Sequence, residues 1–378
     1  MTGPPRATTE FILHGARILV GASLGTGGTE AIRSVAAGRR LAIISDSNVG
    51  PLHAAAVARR LGVPTGDCFH VPAGEVSKTR EEWSRLTDAM VTRGFGRDSV
   101  VVAVGGGVVG DLAGFIAATF MRGVPVIQVP TSLLAMIDAA IGGKSGVDTP
   151  AGKNLVGAFH HPVLVVADPG VLKTLPPAHL RNGLAEALKH AVITSVPEFD
   201  WLLENAGAIV RQGPPDIAVA AELVERNIRI KAGIVARDER EAGVRKTLNF
   251  GHTIGHAIET ASAFALLHGE CVGIGMRVEA MIAVAVGLAP DTLASRITAA
   301  LAALGLPAFP ALPLSPDAVL AATRTDKKAR AGAAEYALAC DIGVMAGAER
   351  GYGTPVPDDA VKAAIARAFT AWHPTQRA

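Results

Sequence analysis

The run Ser99-Val-Val-Val-Ala-Val104, followed at once by Gly105-Gly-Gly-Val-Val-Gly-Asp111 and then LAGFIAATFMRG, constrains the fold more than any other stretch. An unbroken β-branched run without alternation reads as a strand buried on both faces, and such strands belong to parallel sheets covered by helices. Gly105, Gly107 and Gly110 match G-x-G-x-x-G between the predicted strand and helix. Backbone N–H groups and a helix N-terminus can receive a pyrophosphate there, with no side chain in the way. A tight strand–helix turn built on packing glycines is the other reading of the same residues. A dinucleotide fingerprint also expects an acidic residue about twenty residues later, at the end of the next strand. That region is VPTSLL, 129–134, with no carboxylate, whereas Asp46 closes the preceding strand in IISDSN. Asp46 is therefore the better candidate for an adenosine ribose, and the fold expected is a relative of the Rossmann arrangement.

The surrounding sequence keeps the same grammar. LAIIS (41–45), VPVIQVP (124–130) and VLVVAD (163–168) read as further buried strands, with helices at 51–62 and 79–94. Alternation of this kind indicates an α/β domain with a mostly parallel sheet. After LKTLPP (172–177), Ala/Leu/Glu/Arg-rich runs of helical periodicity fill 178–305 and 357–371, and EYALACDIG (335–343) is the main candidate for extended structure. We place a boundary at Pro176–Pro177, giving a Rossmann-like nucleotide-binding α/β domain, 1–176, and a mainly α-helical domain, 177–378, for metal and substrate.

Composition excludes several classes. With 49% hydrophobic and 19% charged residues the chain is globular. Aromatics at 4% give no stacking surface for single-stranded nucleic acid, and a net charge of +2 gives no case for bulk binding to DNA or an anionic membrane. Cys68, Cys271 and Cys340 are odd in number and far apart, which fits thiols in a reducing cytoplasm. His14 and Arg17 interrupt the first apolar run, so no signal peptide is expected. Arg277 and Glu279 within CVGIGMRVEAMIAVAVGLA argue for a buried helix instead of a membrane span.

NFGHTIGHAIETASAFALLHGE (249–270) holds three of the eleven histidines. In a helix over 245–259, Arg245, Asn249, His252 and His256 share one face. With His268 nearby, a metal or catalytic site is the favoured reading, although Thr253 stands where a zinc-protease motif needs glutamate. Catalytic zinc sites commonly take three protein ligands. NGLAEALKHAV (182–192) offers Glu186 on one helix face with Asn182 and Lys189, but an exposed Glu–Lys ion pair is the commoner situation for that spacing. Basic residues beside glycines or in otherwise neutral settings, namely Arg122, Lys144, Lys153, Lys231, Arg245, Lys327 and Lys328, point to a small, strongly anionic substrate.

GGGVVGDLAGFIAATFMRG, VPTSLLAMIDAAIGGKSGVDTPAGKNLVGAF, LKTLPPAHLRNGLAEALKHAVI, KAGIVARDEREAGVRKTLNFGHTIGHAIE, LLHGE and TDKK resemble, in order, the 3-dehydroquinate synthases of the sugar phosphate cyclase superfamily. The resemblance runs from about residue 40 to residue 345. It implies the two-domain dehydroquinate synthase-like fold, a homodimer, bound NAD and one divalent metal, zinc or cobalt. The implied reaction is a carbon–oxygen lyase step that converts 3-deoxy-D-arabino-heptulosonate 7-phosphate to 3-dehydroquinate and phosphate on the way to chorismate.

By motif, the resemblance implies Glu186, His252 and His268 as metal ligands. It implies NAD contacts at Asp46, Asn48, Glu75, Lys78, Gly107, Val108, Val109, Gly110, Asp111, Thr131, Ser132, Lys144, Lys153, Leu172, Lys173 and Thr174. Catalytic and substrate residues would be Asp138, Lys144, Asn154, Lys189, Lys231, Arg245, Asn249, His256, Lys327 and Lys328, with Arg122 reaching the phosphate bound by the neighbouring subunit. Ser132, Ser145 and the pair His160-His161 depart from the usual pattern. The rivals are aminodehydroquinate synthases, cyclases of carboxylate-free sugar phosphates, metal-dependent alcohol dehydrogenases and a non-catalytic relative. Retention of Lys231, Arg245, Asn249 and His256 favours a carboxylate-bearing substrate.

Overall fold

The computed structural model describes residues 8–150, 152–324 and 334–370. Among them the chain divides into two compact units, Met1–Leu180 with Gly213–Ala232, and Arg181–Gln212 with Gly233–Ala378.

The strand elements are β1 (Thr9–Leu13), β2 (Ala16–Val20), β3 (Arg40–Asp46), β4 (Cys68–Val71), β5 (Ser99–Gly105), β6 (Val126–Pro130), β7 (Lys144–Thr149), β8 (Gly152–Phe159) and β9 (Leu164–Ala167). Seven of them form one sheet in the order β1-β2-β9-β6-β5-β3-β4, parallel throughout except for the antiparallel edge pair β1–β2. Every residue of β5 is buried, as its unbroken apolar run requires. β7 and β8 pair as a separate hairpin. Four helices belong to this part of the chain: α1 (Gly27–Val35), α2 (Ala55–Leu61), α3 (Arg80–Thr92) and α4 (Gly107–Thr119). Thr79 caps α3 by accepting from the Glu82 amide at 3.2 Å. Leu86, Met90, Leu112 and Ile116 from α3 and α4 pack with Ala42, Ile44, Val101 and Ala103 from the sheet. Each such fully buried Leu or Ile contributes about 1.5–3 kcal/mol relative to an exposed one.

The strand order matters for function. From β3 the chain moves outward to β4; from β5 it moves the other way, to β6. The sheet thus reverses direction between neighbours β3 and β5, and in open α/β sheets ligands bind outside the carboxyl ends of strands at such a point. Asp46 ends β3 and the glycine loop follows β5.

The remaining helices are α5 (Pro177–Thr194), α6 (Val196–Glu204), α7 (Ala206–Ile209), α8 (Ile217–Arg237), α9 (His252–Ala261), α10 (His268–Ala285), α11 (Thr292–Ala303), α12 (Pro316–Arg324) and α13 (Asp358–Thr370). The second core draws Ile254 and Ile258 of α9, Ile274, Val278 and Ile282 of α10, Val319 of α12 and Ile365 of α13 together with Tyr336 and Leu338. Among the described residues, no helix is long and apolar enough to cross a membrane, and the three cysteines form no disulfide.

One expectation needs correction. The segment 245–259 is not one helix: a 3-10 turn covers Val244–Asn249, and α9 begins only at His252. Gly251 breaks the path with φ +79°, a left-handed conformation that favours glycine. Ahead of β3, residues 9–35 supply the β1–β2 hairpin and α1.

Candidate active site

In the first unit the glycine loop opens directly into α4, with no side-chain cap on the helix. A Cβ on Gly110 would stand 2.9 Å from Gln128 Oε1, and one on Gly105 would overlap the Val109 side chain, so both glycines also serve packing. Gly107 is different, because a Cβ there would meet only Ala139, at 3.4 Å. Val108 and Val109 lie in the first turn of α4, and Val109 is fully buried. Thr131 closes the end of β6 by donating its amide to Gly105 O at 2.9 Å, and Ser132 Oγ accepts from Ala135 N at 3.2 Å.

Several of the expected cofactor residues pair with one another or fix their own turns. Lys78 Nζ pairs with Asp111 Oδ2 at 2.5 Å, with the lysine side chain 5% exposed. Asp148 N donates to Lys78 O at 2.7 Å, and Asp148 Oδ1 accepts from Asn154 N at 2.8 Å. Lys153 Nζ lies 3.5 Å from Glu75 Oε1. Asp46 Oδ1 accepts the amides of Asn48 and Val49, both at 2.8 Å, fixing the turn after β3. Thr174 ends the 3-10 turn that carries Leu172 and Lys173, and its hydroxyl meets His53 Nε2 at 2.7 Å. Asp138, in a π-turn at Ala135–Ala139, receives Lys231 Nζ on both its carbonyl and Oδ1 at 2.6 Å. Lys144 is exposed at the start of β7, and Arg122 is exposed with φ +68°.

In the second unit, Glu186 of α5, His252 at the start of α9 and His268 at the start of α10 converge. The two Nε2 atoms lie 3.3 Å and 3.2 Å from the same oxygen, Glu186 Oε1. Candidate ligand atoms of the three residues all fall within 4.8 Å of one another. Four donors at ~2.0–2.2 Å around a tetrahedral ion stand about 3.3–3.6 Å apart, so this spacing fits a divalent metal. The other ring nitrogens are oriented from behind: His252 Nδ1 faces Phe250 O at 3.2 Å, and His268 Nδ1 faces Glu259 Oε2 at 3.5 Å. With protons on those Nδ1 atoms, both Nε2 lone pairs would be free to coordinate a cation beside the Glu186 carboxylate.

Glu186 is not the exposed ion-pair partner its spacing allowed. It is fully buried, and it pairs with Lys189, whose side chain is 2% exposed. Burial alone would raise the Glu186 carboxyl; Lys189 and then His252 outweigh it and hold the group well below the usual carboxylate range. Burial pushes His252 down to about 3 against the pull of Glu186. His268 is pushed up to about 10, because the Glu186 and Glu259 carboxylates overcome its burial.

His256 stands one turn along α9, its ring 5.3 Å from that of His252 and 5.9 Å from that of His268. Arg245 is buried, its backbone N held by Asp238 Oδ2 at 3.0 Å and its guanidinium donating to Glu239 O at 2.5 Å. Asn249 Nδ2 donates to Glu241 Oε1 at 2.5 Å. Sequence reasoning passed over Glu241, whose φ of +62° is unusual for a residue with a side chain. It also passed over Glu259, although a glutamate three positions after His256 shares its face. Lys327 and Lys328 lie outside the described residues.

Comparison with known proteins now bears on this geometry. Residues 68–182 match the family model 3-dehydroquinate synthase N-terminal, and residues 183–329 match 3-dehydroquinate synthase C-terminal. The 3-dehydroquinate synthase of Symbiobacterium thermophilum is 46% identical over 304 residues, covering 79% of this chain and 84% of its own. The chain belongs to the 3-dehydroquinate synthase family. Within the wider group, a 2-deoxy-scyllo-inosose synthase solved with carbaglucose-6-phosphate, NAD+ and Co2+ superposes with a TM-score of 0.84 at 26% identity, covering 95% of this chain and 99% of that one. A 2-epi-5-epi-valiolone synthase from Streptomyces hygroscopicus subsp. jinggangensis with NAD+ and Zn2+ bound gives 0.81 at 29% identity, covering 97% and 99%.

Proposed function

We infer that this member of the 3-dehydroquinate synthase family converts 3-deoxy-D-arabino-heptulosonate 7-phosphate to 3-dehydroquinate and phosphate, using NAD and one divalent metal. The observation that carries the reading is the Glu186–His252–His268 triangle, whose donor spacing suits a tetrahedral ion in a chain matching both halves of the family. When bound, the metal would acidify a substrate hydroxyl and NAD would accept and return a hydride.

The chain's own residues supply binding, orientation and charge. The glycine loop after β5, with Asp46, Lys78, Asp111 and Lys153, makes the first unit the NAD-binding domain on this reading. The second unit, with Glu186, His252 and His268, is the metal-binding domain. Lys189 keeps Glu186 ionised inside an apolar helix pack. Arg245, Asn249 and His256 are assigned to the substrate's carboxylate and hydroxyls, Lys231, Lys144 and Arg122 to its remaining anionic groups, and Asp138 and Asn154 to the lining of the substrate site. Glu241 fixes the Asn249 amide for that role. Holding a substrate in a reactive geometry can remove roughly 7–11 kcal/mol of barrier. Thiols without a disulfide framework support a cytoplasmic location, and the family resemblance supports a homodimer. Two imidazoles and one carboxylate suit zinc or cobalt, a set common in catalytic zinc sites.

The test supplies the heptulosonate 7-phosphate with zinc and substoichiometric NAD, and follows phosphate and 3-dehydroquinate together. Equal yields far exceeding NAD are expected. Turnover of a carboxylate-free sugar phosphate in its place would assign the chain to a sister cyclase, and net NADH release would indicate a dehydrogenase.

A further inference from the structure

Glu279 is a charged residue where the fold wants an apolar one. It sits on α10 among Val278, Ala280 and Ile282, and like them it has no exposed surface. Its carboxylate faces the beginning of α9: Oε2 accepts from Gly251 N at 2.7 Å and Oε1 from Ile254 N at 3.1 Å. The first amides of a helix have no partner within it, and a side chain on the N-cap residue usually takes one of them. Here the N-cap is Gly251, which has none, so the cap is delivered from the neighbouring helix.

The packing leaves little room for another solution. A Cβ on Gly251 would come within 2.9 Å of Val272 O, and one on Gly255 within 3.1 Å of Cys271 O. A Cβ on Gly275 would come within 2.8 Å of Gly255 N. These backbones approach so closely that a side chain at any of the three positions would force a neighbour to shift. A carboxylate at a helix N-terminus also offsets the positive end of the helix dipole, which would otherwise face the metal triangle. His252 lies between the two clamped residues, 251 and 254, and its Nε2 must meet Glu186 and His268.

We propose that Glu279 is a positioning residue for the metal site: it fixes the first turn of α9, and hence the imidazole of His252, against the helix that carries His268. The proposal rests on the reading of Glu186, His252 and His268 as the metal set. Glu279 acts through the backbone of α9, by the amides of Gly251 and Ile254.

The test is Glu279→Gln in the full chain, which preserves shape but turns an NH2 toward one of the two amides. Zinc affinity, measured by competition with a chromogenic chelator, is expected to weaken 10–100-fold, the range for outer partners of metal ligands. The visible absorption of the cobalt-loaded variant is expected to shift, while NAD affinity stays at the parent value. A lower melting temperature with unchanged zinc affinity and an unchanged cobalt spectrum would make Glu279 a stability residue and overturn the proposal. Should the glutamine variant not fold, Glu279→Asp keeps the charge but cannot span both amides. Severalfold weaker zinc binding by that variant supports the positioning role, and parental affinity overturns it. A parent protein that takes up neither zinc nor cobalt overturns the metal reading itself, a result separable from a defect confined to the variants.

Discussion

The strand–loop–helix at 99–119 and the helix pair α9–α10 each place a functional candidate at the start of a helix, by opposite means. In the first, function resides in backbone: an apolar strand, glycines without side chains and a bare helix N-terminus. In the second, the candidate is a set of side chains that α5, α9 and α10 bring together, Glu186 and His252 buried and His268 half-buried, with Glu186 lying 66 and 82 positions from His252 and His268. A backbone site needs only local steric permission. A side-chain site needs charges placed in a core, where each must be compensated.

The largest effect should come from breaking that compensation. Glu186→Gln removes the carboxylate held against buried Lys189. Metal-free protein should lose about 3–5 kcal/mol of stability, and zinc uptake should disappear. Denaturant unfolding in chelator and a zinc titration decide it; parental values in both would show that the pair is not what organises the site.

The backbone site should respond more mildly and independently. Gly105→Ala places a methyl against Val109, an overpacking expected to cost about 1–3 kcal/mol and to weaken NAD binding, with zinc uptake by the second unit untouched. Loss of zinc along with NAD would mean that the two regions are not separable as argued.

The smallest effect concerns the turn before Arg245. Asp238 accepts the amides of Ala242, Gly243 and Arg245. Burial would raise its carboxyl, but the Arg245, Gly243 and Ala242 amides prevail and hold it below the ordinary value. A depressed folded pKa adds stability that is complete above the unfolded value of about 3.9 and is lost as pH falls through the folded one. Asp238→Asn should therefore be less stable than the parent at neutral pH by a constant margin. That margin should close as the solution is acidified below about pH 4. A margin independent of pH would assign the turn to packing.

How much could be read in advance follows the same division. The parallel strands and the glycine loop were legible because β-branched runs and glycine spacing act on the local chain. Strand ends shifted by only a residue or two, LAIIS becoming Arg40–Asp46. The helix drawn through 245–259 was not, since periodicity could not show that Gly251 would turn left-handed. The hairpin β7–β8 was hidden for a related reason. Its outer residues, Leu155, Val156 and Phe159 among them, are exposed and carry no clean alternation.

The sequence by itself determined the sheet, the helical second half, the family resemblance and the residue types available to each site. Only the tertiary structure decided that Glu186 and Lys189 are a buried pair instead of a solvated one. It alone brought Glu259 behind His268 and Glu279 under α9. The reason is physical: propensity and steric permission act along the chain, whereas the fate of a charge depends on what surrounds it once the helices have packed.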